Sequence, residues 1–231
     1  MSFIAAGLDT KLAQVQEQLR QAFANAPDVD DVCLTCSFQA EDVLLLKLAL
    51  DLRPALPTLF LDTGYHFAET YAYRDRVARD WKVRLINLLP LTTVAEQEAQ
   101  HGLLYQSSPD RCCGARKVEP LFRAVANYKV WITGLRREQA KTRATLEESA
   151  SFTLPSGKQV LKLSPLAQFS TADVWHACEE LGIPLLPLYA RGYSSIGCEP
   201  CTSLPLDPGD ARSGRWAGRK VECGIHIEAA K

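Results

Sequence analysis

The residues of this chain best equipped for chemistry are its eight cysteines, and their spacing sorts them into groups. Cys112 and Cys113 are adjacent, and Cys198-Glu199-Pro200-Cys201 sets two more thiols three positions apart. Vicinal cysteines are poor partners for a disulfide with each other, because the small ring strains the peptide between them. Both can serve one metal centre if their side chains splay, and a Cys-x-x-Cys loop offers two thiolates to one centre. Four thiolates suit zinc or an iron–sulfur cluster, and spacing does not choose between them. The competing reading is four buried thiols that only pack. Cys33 and Cys36 repeat the Cys-x-x-Cys spacing, but on a short apolar segment that reads as a strand, where positions three apart point to opposite faces. They are expected in the core, as is Cys178 inside a helical segment.

Cys223 stands apart, in Val221-Glu222-Cys223-Gly224-Ile225-His226 near the end of the sequence. It reads either as a stray surface thiol or as a nucleophile on a mobile segment that closes over a cleft and then presents itself to a partner. His226 could polarise that thiol, but capping or packing of the tail is the expected role. Basic residues cluster three times: Arg111, Arg116 and Lys117 around the vicinal cysteines; Arg136, Arg137, Lys141 and Arg143; and Arg212, Arg215, Arg219 and Lys220 before Cys223. A charge run is commonly a solvated face. Three of them, one beside a lone cysteine, suit a phosphate-like ligand better, and cations beside a thiol favour its thiolate. The turn Ser37-Phe38-Gln39-Ala40-Glu41-Asp42 can offer backbone N–H groups and a hydroxyl to an anion at a helix N-terminus, although an ordinary helix cap has the same look.

These residues must be positioned by secondary structure, and the periodicity supplies it. Apolar residues at Leu8, Leu12, Val15, Leu19 and Phe23 predict an amphipathic helix. Val32–Ser37, Thr58–Leu61, Val83–Leu88 and Val130–Thr133 read as buried strands, with helices over Val43–Leu52 and up to about Asp80. Alternating strands and helices predict an α/β fold with a mainly parallel sheet flanked by helices. Ligands of such sheets bind beyond the carboxyl ends of the strands, so the turns at Ser37, Asp62 and Gly134 are expected to face one cleft. A hairpin is expected around Pro155-Ser156-Gly157, then a helix over Thr171–Leu181 capped by Ser170 or Thr171. Periodicity fades after Ile183, which predicts one α/β domain over 1–203 and a mobile C-terminal tail over 204–231.

The 231 residues, 47% hydrophobic and 23% charged, suffice for one sizeable α/β domain. A net charge of -1 argues against a nucleic-acid partner. No apolar run is long enough to span a bilayer, and the N-terminus lacks a basic region ahead of an apolar one. A cytoplasmic protein with no membrane association is expected, where eight cysteines would not form a disulfide framework. Homo-oligomer formation stays open.

Taken together, Cys112-Cys113-Gly114-Ala115-Arg116-Lys117-Val118-Glu119-Pro120-Leu121, Thr133-Gly134-Leu135-Arg136-Arg137-Glu138-Gln139, Ser195-Ile196-Gly197-Cys198-Glu199-Pro200-Cys201-Thr202 and Glu222-Cys223-Gly224-Ile225-His226 are specific. The chain resembles the assimilatory adenylyl-sulfate reductases, the cluster-containing branch of the phosphoadenylyl-sulfate reductase family, from about Ser37 to His226. Leu61-Asp62-Thr63-Gly64 and Ser213-Gly214-Arg215-Trp216 fit as well. The resemblance implies an adenine nucleotide α-hydrolase-like fold, a four-iron, four-sulfur (4Fe-4S) cluster on Cys112, Cys113, Cys198 and Cys201, and Cys223 as nucleophile. It implies that Lys117, Arg136, Arg137, Arg212 and Arg215 lie near the phosphosulfate and that the Ser37 turn is a modified pyrophosphate loop. Gln39 stands where that loop often has Gly, which questions the tightness of the turn.

The implied activity is reduction of adenylyl sulfate to sulfite and AMP through an S-sulfocysteine. No second cysteine accompanies Cys223 to resolve such an adduct, so the implied electron donor is an external thiol, thioredoxin or glutaredoxin. Gly64-Tyr65-His66-Phe67 is similar to the phosphoadenylyl branch and keeps the 3′-phosphorylated substrate in play. A tRNA-thiolating sulfurtransferase would call for a Ser-Gly-Gly-x-Asp-Ser loop and a more basic surface, both missing here. A zinc or nucleotide-binding module without catalysis would leave Cys223 and its basic approach unexplained.

Overall fold

The computed structural model describes residues 3–207, 209–220 and 222–225, and only the backbone of 3–6. His226 lies outside the described residues. Six strands, β1 (Val32–Thr35), β2 (Thr58–Leu61), β3 (Leu85–Leu88), β4 (Val130–Thr133), β5 (Ser149–Thr153) and β6 (Gln159–Leu163), form one sheet in the order β3-β2-β1-β4-β6-β5. All neighbours are parallel except the β5–β6 hairpin, which closes one edge. The helices are α1 (Phe3–Asn25), α2 (Ala40–Leu52), α3 (Ala68–Asp80), α4 (Val94–His101), the short turns α5 (Leu104–Ser107) and α6 (Pro109–Cys113), α7 (Glu119–Val125) and α8 (Thr171–Glu180). The mainly parallel α/β architecture is the one expected from the alternation of strands and helices.

The central strands are apolar throughout because both faces of the sheet are covered. Leu34, Phe60 and Ile132 face one side, with Leu19 of α1, Leu44 of α2 and Val77 of α3. Leu59 and Trp131 face the other, with Leu121 and Val125 of α7 and Phe152 of β5. Cys33 belongs to the second layer, and Cys36, just past β1, to the first. The sheet itself separates their sulfurs, as the period of a strand requires. Burial pushes both thiols up, so they stay protonated and inert. Cys178 is also buried, its thiol directed at Ala40 O.

The turn after β1 differs from expectation in two respects. Helix α2 begins at Ala40 rather than Val43, so the turn after β1 is shorter. Its tight residue is Phe38, with φ 60°, not Gln39 with φ -76°. A left-handed Phe is uncommon. Here its ring is fully buried, edge-on to Phe60 and Tyr73, and that packing offsets the backbone strain. Strand order reverses across β1 and β4, so ligand space is expected beyond their carboxyl ends. The turns after them touch: a Cβ on Gly134 would sit 2.1 Å from Asp42 Oδ1.

The segment after Cys201 folds back on the body. Ser203 N donates to Gly214 O at 2.9 Å, and Thr202 bridges Arg215. Gly214 is required there, since a Cβ would lie 2.3 Å from Ser203 O. Trp216 is buried. Among the described residues no helix is long and apolar enough to cross a membrane.

Candidate active site

The vicinal cysteines end α6, and the chain continues through a π-helical stretch, Gly114–Val118, into α7. Successive helical residues are about 100° apart around the axis, so Cys112 and Cys113 point in different directions without strain. Each shares its face with a cation one turn on, Cys112 with Arg116 and Cys113 with Lys117. A wide π turn at such a place is common at functional sites. Arg116 is buried, donates to Thr63 O and Gln97 Oε1, and lies 5.2 Å from the Tyr65 ring centre. It therefore fixes α6 against the turn after β2.

Cys198 and Cys201 sit on a 3-10 turn, Glu199–Cys201, pinned to that same turn. Glu199 N donates to Tyr65 O at 2.7 Å, and His66 bridges Cys198. Thr63 Oγ1 and Cys198 Sγ are 3.2 Å apart, a hydroxyl–sulfur contact. Burial lowers the His66 pKa to about 4, so the ring is neutral, with Nε2 donating to Leu61 O.

All four thiols line one small cleft together with Tyr65, Tyr105, Lys117 and Trp216. Burial, then the neighbouring Cys113, Cys198 and Cys201, push the Cys112 thiol up to about 11. Among the described residues no three His, Cys, Asp or Glu side chains converge to hold a single metal ion. The donor set is wholly sulfur, buried except for the half-buried Cys201, and carries its own hydroxyl neighbour in Thr63, which fits a soft, thiolate-ligated group that lowers these pKa values on binding.

The segment carrying Cys223 lies against the same wall. A Cβ on Gly224 would be 3.5 Å from Val118 Cγ2, and Ile225 packs on the core layer of Trp131. Lys117 lies among Cys198, Cys223 and Cys113; burial opposes its charge, yet these sulfurs hold its pKa above the usual value despite Arg215. Arg215 is buried, packed against Gly197 and 4.6 Å from the Trp216 ring centre. Its guanidinium also donates to Cys201 O at 3.3 Å. Burial lowers the pKa of Arg215, opposed by the cysteines Cys198, Cys223 and Cys201. Lys117 and Arg215 are thus the cations placed with both the thiol quartet and Cys223.

Other sequence-singled residues lie differently. Arg136 is buried, its guanidinium on Phe169 O and Thr171 Oγ1 beside the start of α8. Arg137 is exposed and donates to Leu146 O at 2.8 Å. Arg212 lies 3.5 Å from Glu222. Ser37 opens the turn after β1, but its N–H and Oγ both donate to Asp42 Oδ2 at 2.6 Å. Gln39 has a specific place after all: Nε2 donates to Ser37 Oγ, and Oε1 accepts from Ile196 N at 2.7 Å. It ties the anion-type turn to the loop that carries Cys198. The places of Trp216, Tyr65 and Tyr105 in the cleft wall, and the pairing of Arg143 with Glu222, are not read from the sequence. No spacing rule links an aromatic or an acid to a cavity so distant along the chain.

Asp42 gives a pH prediction. Burial, then Glu41, push its carboxyl up to about 6, against the Ser37 bonds and Arg143. The folded chain then holds more protons than the unfolded one between about pH 4 and 6, so this group's contribution falls as pH rises through that window. Asp42→Asn keeps an acceptor for Ser37 and removes the buried charge. Thermal unfolding is expected to show the variant more stable than the wild type above pH 6, with the gap shrinking towards pH 4. A variant less stable at neutral pH would contradict this account.

Comparison with known proteins agrees with this geometry. Residues 31–204 match the model of the phosphoadenosine phosphosulfate reductase domain. An adenosine 5′-phosphosulfate reductase of Streptomyces coelicolor is 45% identical over 199 residues, 85% of this chain and 82% of the relative. A phosphoadenosine 5′-phosphosulfate reductase of Gloeobacter violaceus is 43% identical over 202 residues, 85% and 83% of the two chains. Among solved structures, the phosphoadenylyl-sulfate (PAPS) reductase of Candida auris superposes with a TM-score of 0.68 at 25% identity, covering 88% of this chain and 99% of that one. The expected adenine-nucleotide-binding architecture is borne out by that likeness. The domain match covers most of the chain, from before β1 to beyond the second pair of cavity cysteines, and the protein belongs to the phosphoadenosine phosphosulfate reductase family.

Proposed function

We propose that the protein reduces adenylyl sulfate to sulfite and AMP, with Cys223 as nucleophile and a thioredoxin or glutaredoxin as electron donor. The observation that carries this reading is that the Cys223 segment packs on Val118 next to Lys117, and Arg215 packs on Gly197 next to Cys198, at a cleft lined by Lys117 and four thiols, three of them buried. Cys112, Cys113, Cys198 and Cys201 would hold a 4Fe-4S cluster. An all-sulfur donor set of four cysteines suits a polynuclear iron–sulfur group with one thiolate per iron, and the likeness to the cluster-containing reductases favours it over a single zinc ion. When bound, the cluster supplies a rigid anionic body that cross-links the two cysteine loops.

The Cys223 thiolate attacks the sulfate sulfur. A sulfur–sulfur bond forms as the bond from sulfur to the bridging phosphate oxygen breaks, and AMP departs with that electron pair. Thiolate and substrate are both anionic, so Lys117 and Arg215 offset their repulsion and the charge on the leaving phosphate. Ser37, Arg136, Arg137 and Arg212 are assigned to the substrate by the family resemblance alone. A donor thiolate then attacks Cys223 Sγ and expels sulfite, and the donor's second thiol releases Cys223 as its disulfide forms. Both electrons come from the donor dithiol.

A second reading, the 3′-phosphorylated substrate, is favoured by the likeness to the phosphoadenosine 5′-phosphosulfate reductase of Gloeobacter violaceus. Sulfite release with thioredoxin tests both. A higher kcat/KM is expected for adenylyl sulfate. A higher value for the 3′-phosphorylated form would reverse the substrate assignment, and no sulfite from either would overturn the activity.

A further inference from the structure

Glu222 immediately precedes Cys223, and its carboxylate is almost enclosed. Arg143, 79 residues away in the chain, grips it with Nε at 2.9 Å from Oε1 and Nη2 at 2.8 Å from Oε2. Thr142 Oγ1 donates to Oε1 at 3.1 Å, and Arg212 Nη2 lies 3.5 Å from Oε2. The Arg143 and Glu222 side chains are 11% and 10% exposed. Two parallel charge-assisted bonds fix direction as well as distance. Burial works against the Glu222 charge, yet Arg143 first, then Arg212, hold its pKa below the usual range.

Arg143 belongs to the 3-10 turn Lys141–Arg143 after β4. It also donates to Gln139 Oε1, and Gln139 donates in turn to Glu41 in the first turn of α2. The grip on Glu222 is thereby continuous with the turn beyond β1. On the other side of Cys223, Gly224 bends the chain with φ 89°, and Ile225 seats on the core. Adjacent Cα atoms are about 3.8 Å apart, so holding Glu222 holds Cys223.

We propose that Glu222 is a positioning residue: its pairing with Arg143, supported by Arg212 and Thr142, latches the segment so that Cys223 faces Lys117 and Arg215. The cations then divide their work. Arg143 and Arg212 hold the tail, and Lys117 and Arg215 face the reacting sulfur. This rests on the reading of Cys223 as nucleophile.

The test uses the full chain with its cluster, as wild type, Glu222→Gln, Arg143→Ala and the double variant. One readout needs no substrate: the rate of Cys223 alkylation by iodoacetamide, resolved by mass spectrometry. The other is single-turnover formation of the Cys223 sulfonate, followed separately from its resolution by thioredoxin. Each single variant is expected to raise alkylation and slow sulfonate formation by roughly tenfold or more, leaving resolution and iron content unchanged. The double variant should be no worse than the singles, because one pair is lost in every case. Unchanged alkylation in the single variants, or strictly additive effects in the double, would overturn the latch. If alkylation responds as expected while wild-type enzyme never forms a sulfonate on Cys223, the latch stands and the proposed function falls.

Discussion

Enzyme mixed with adenylyl sulfate and no thiol donor is expected to release AMP once and then stop, with one sulfonate on Cys223. The expectation follows from the cysteine inventory around the site. Cys223 has Lys117 and Arg215 near it, and the other nearby thiols are the quartet of the cleft, set aside for the cluster. Cys33 and Cys36 are sealed on opposite faces of the sheet, so neither can resolve the adduct. Thioredoxin added afterwards should release sulfite. Cys223→Ser should lower sulfite formation by about 10⁵-fold or more, the scale on which loss of a covalent nucleophile acts. The variant should retain its iron, since Cys223 is outside the quartet. Arg215→Ala should slow adduct formation by about 10²-fold and leave resolution largely intact. Mass spectrometry of the stalled enzyme decides: a sulfonate on another cysteine, or turnover by Cys223→Ser, removes the proposed nucleophile.

The second large effect concerns the cavity. Protein purified without oxygen is expected to be brown, with about four irons per chain. Cys198→Ala should lose nearly all of it, because each thiolate serves one iron. Metal binding of this kind is also folding free energy, so the variant should unfold at lower temperature. Cys33→Ala and Cys36→Ala should keep their iron and cost only about 1 kcal/mol each, as ordinary core truncations do. Iron analysis separates the outcomes: a colourless protein with one zinc would sink the cluster, and iron loss from Cys33→Ala would show that the wrong Cys-x-x-Cys was chosen.

Local features were readable from the chain alone. The alternation of short apolar runs with helical segments determined a mainly parallel sheet, because strand and helix periods are properties of neighbouring residues. The same logic separated Cys33 from Cys36, and the adjacency of Cys112 and Cys113 with Cys198-x-x-Cys201 marked the quartet. Cys223 was conspicuous by its isolation. Tertiary structure decided which cations go with which anions. Arg136 and Lys117 are both basic residues near a motif, but one guanidinium is taken up by Phe169 O and the other side chain lies among sulfurs. Arg143 belonged to a basic run that suggested an anionic ligand; in the fold it meets Glu222 instead. Phe38, rather than Gln39, carries the left-handed turn, because the buried aromatic cluster of Phe60 and Tyr73 holds it there. Periodicity reports which face a residue occupies over a few turns of chain. It carries no information on which residue 79 positions away will complete a bidentate ion pair, since that depends on how loops after different strands meet at one edge of the sheet, and on long side chains whose charged ends lie far from their own backbone.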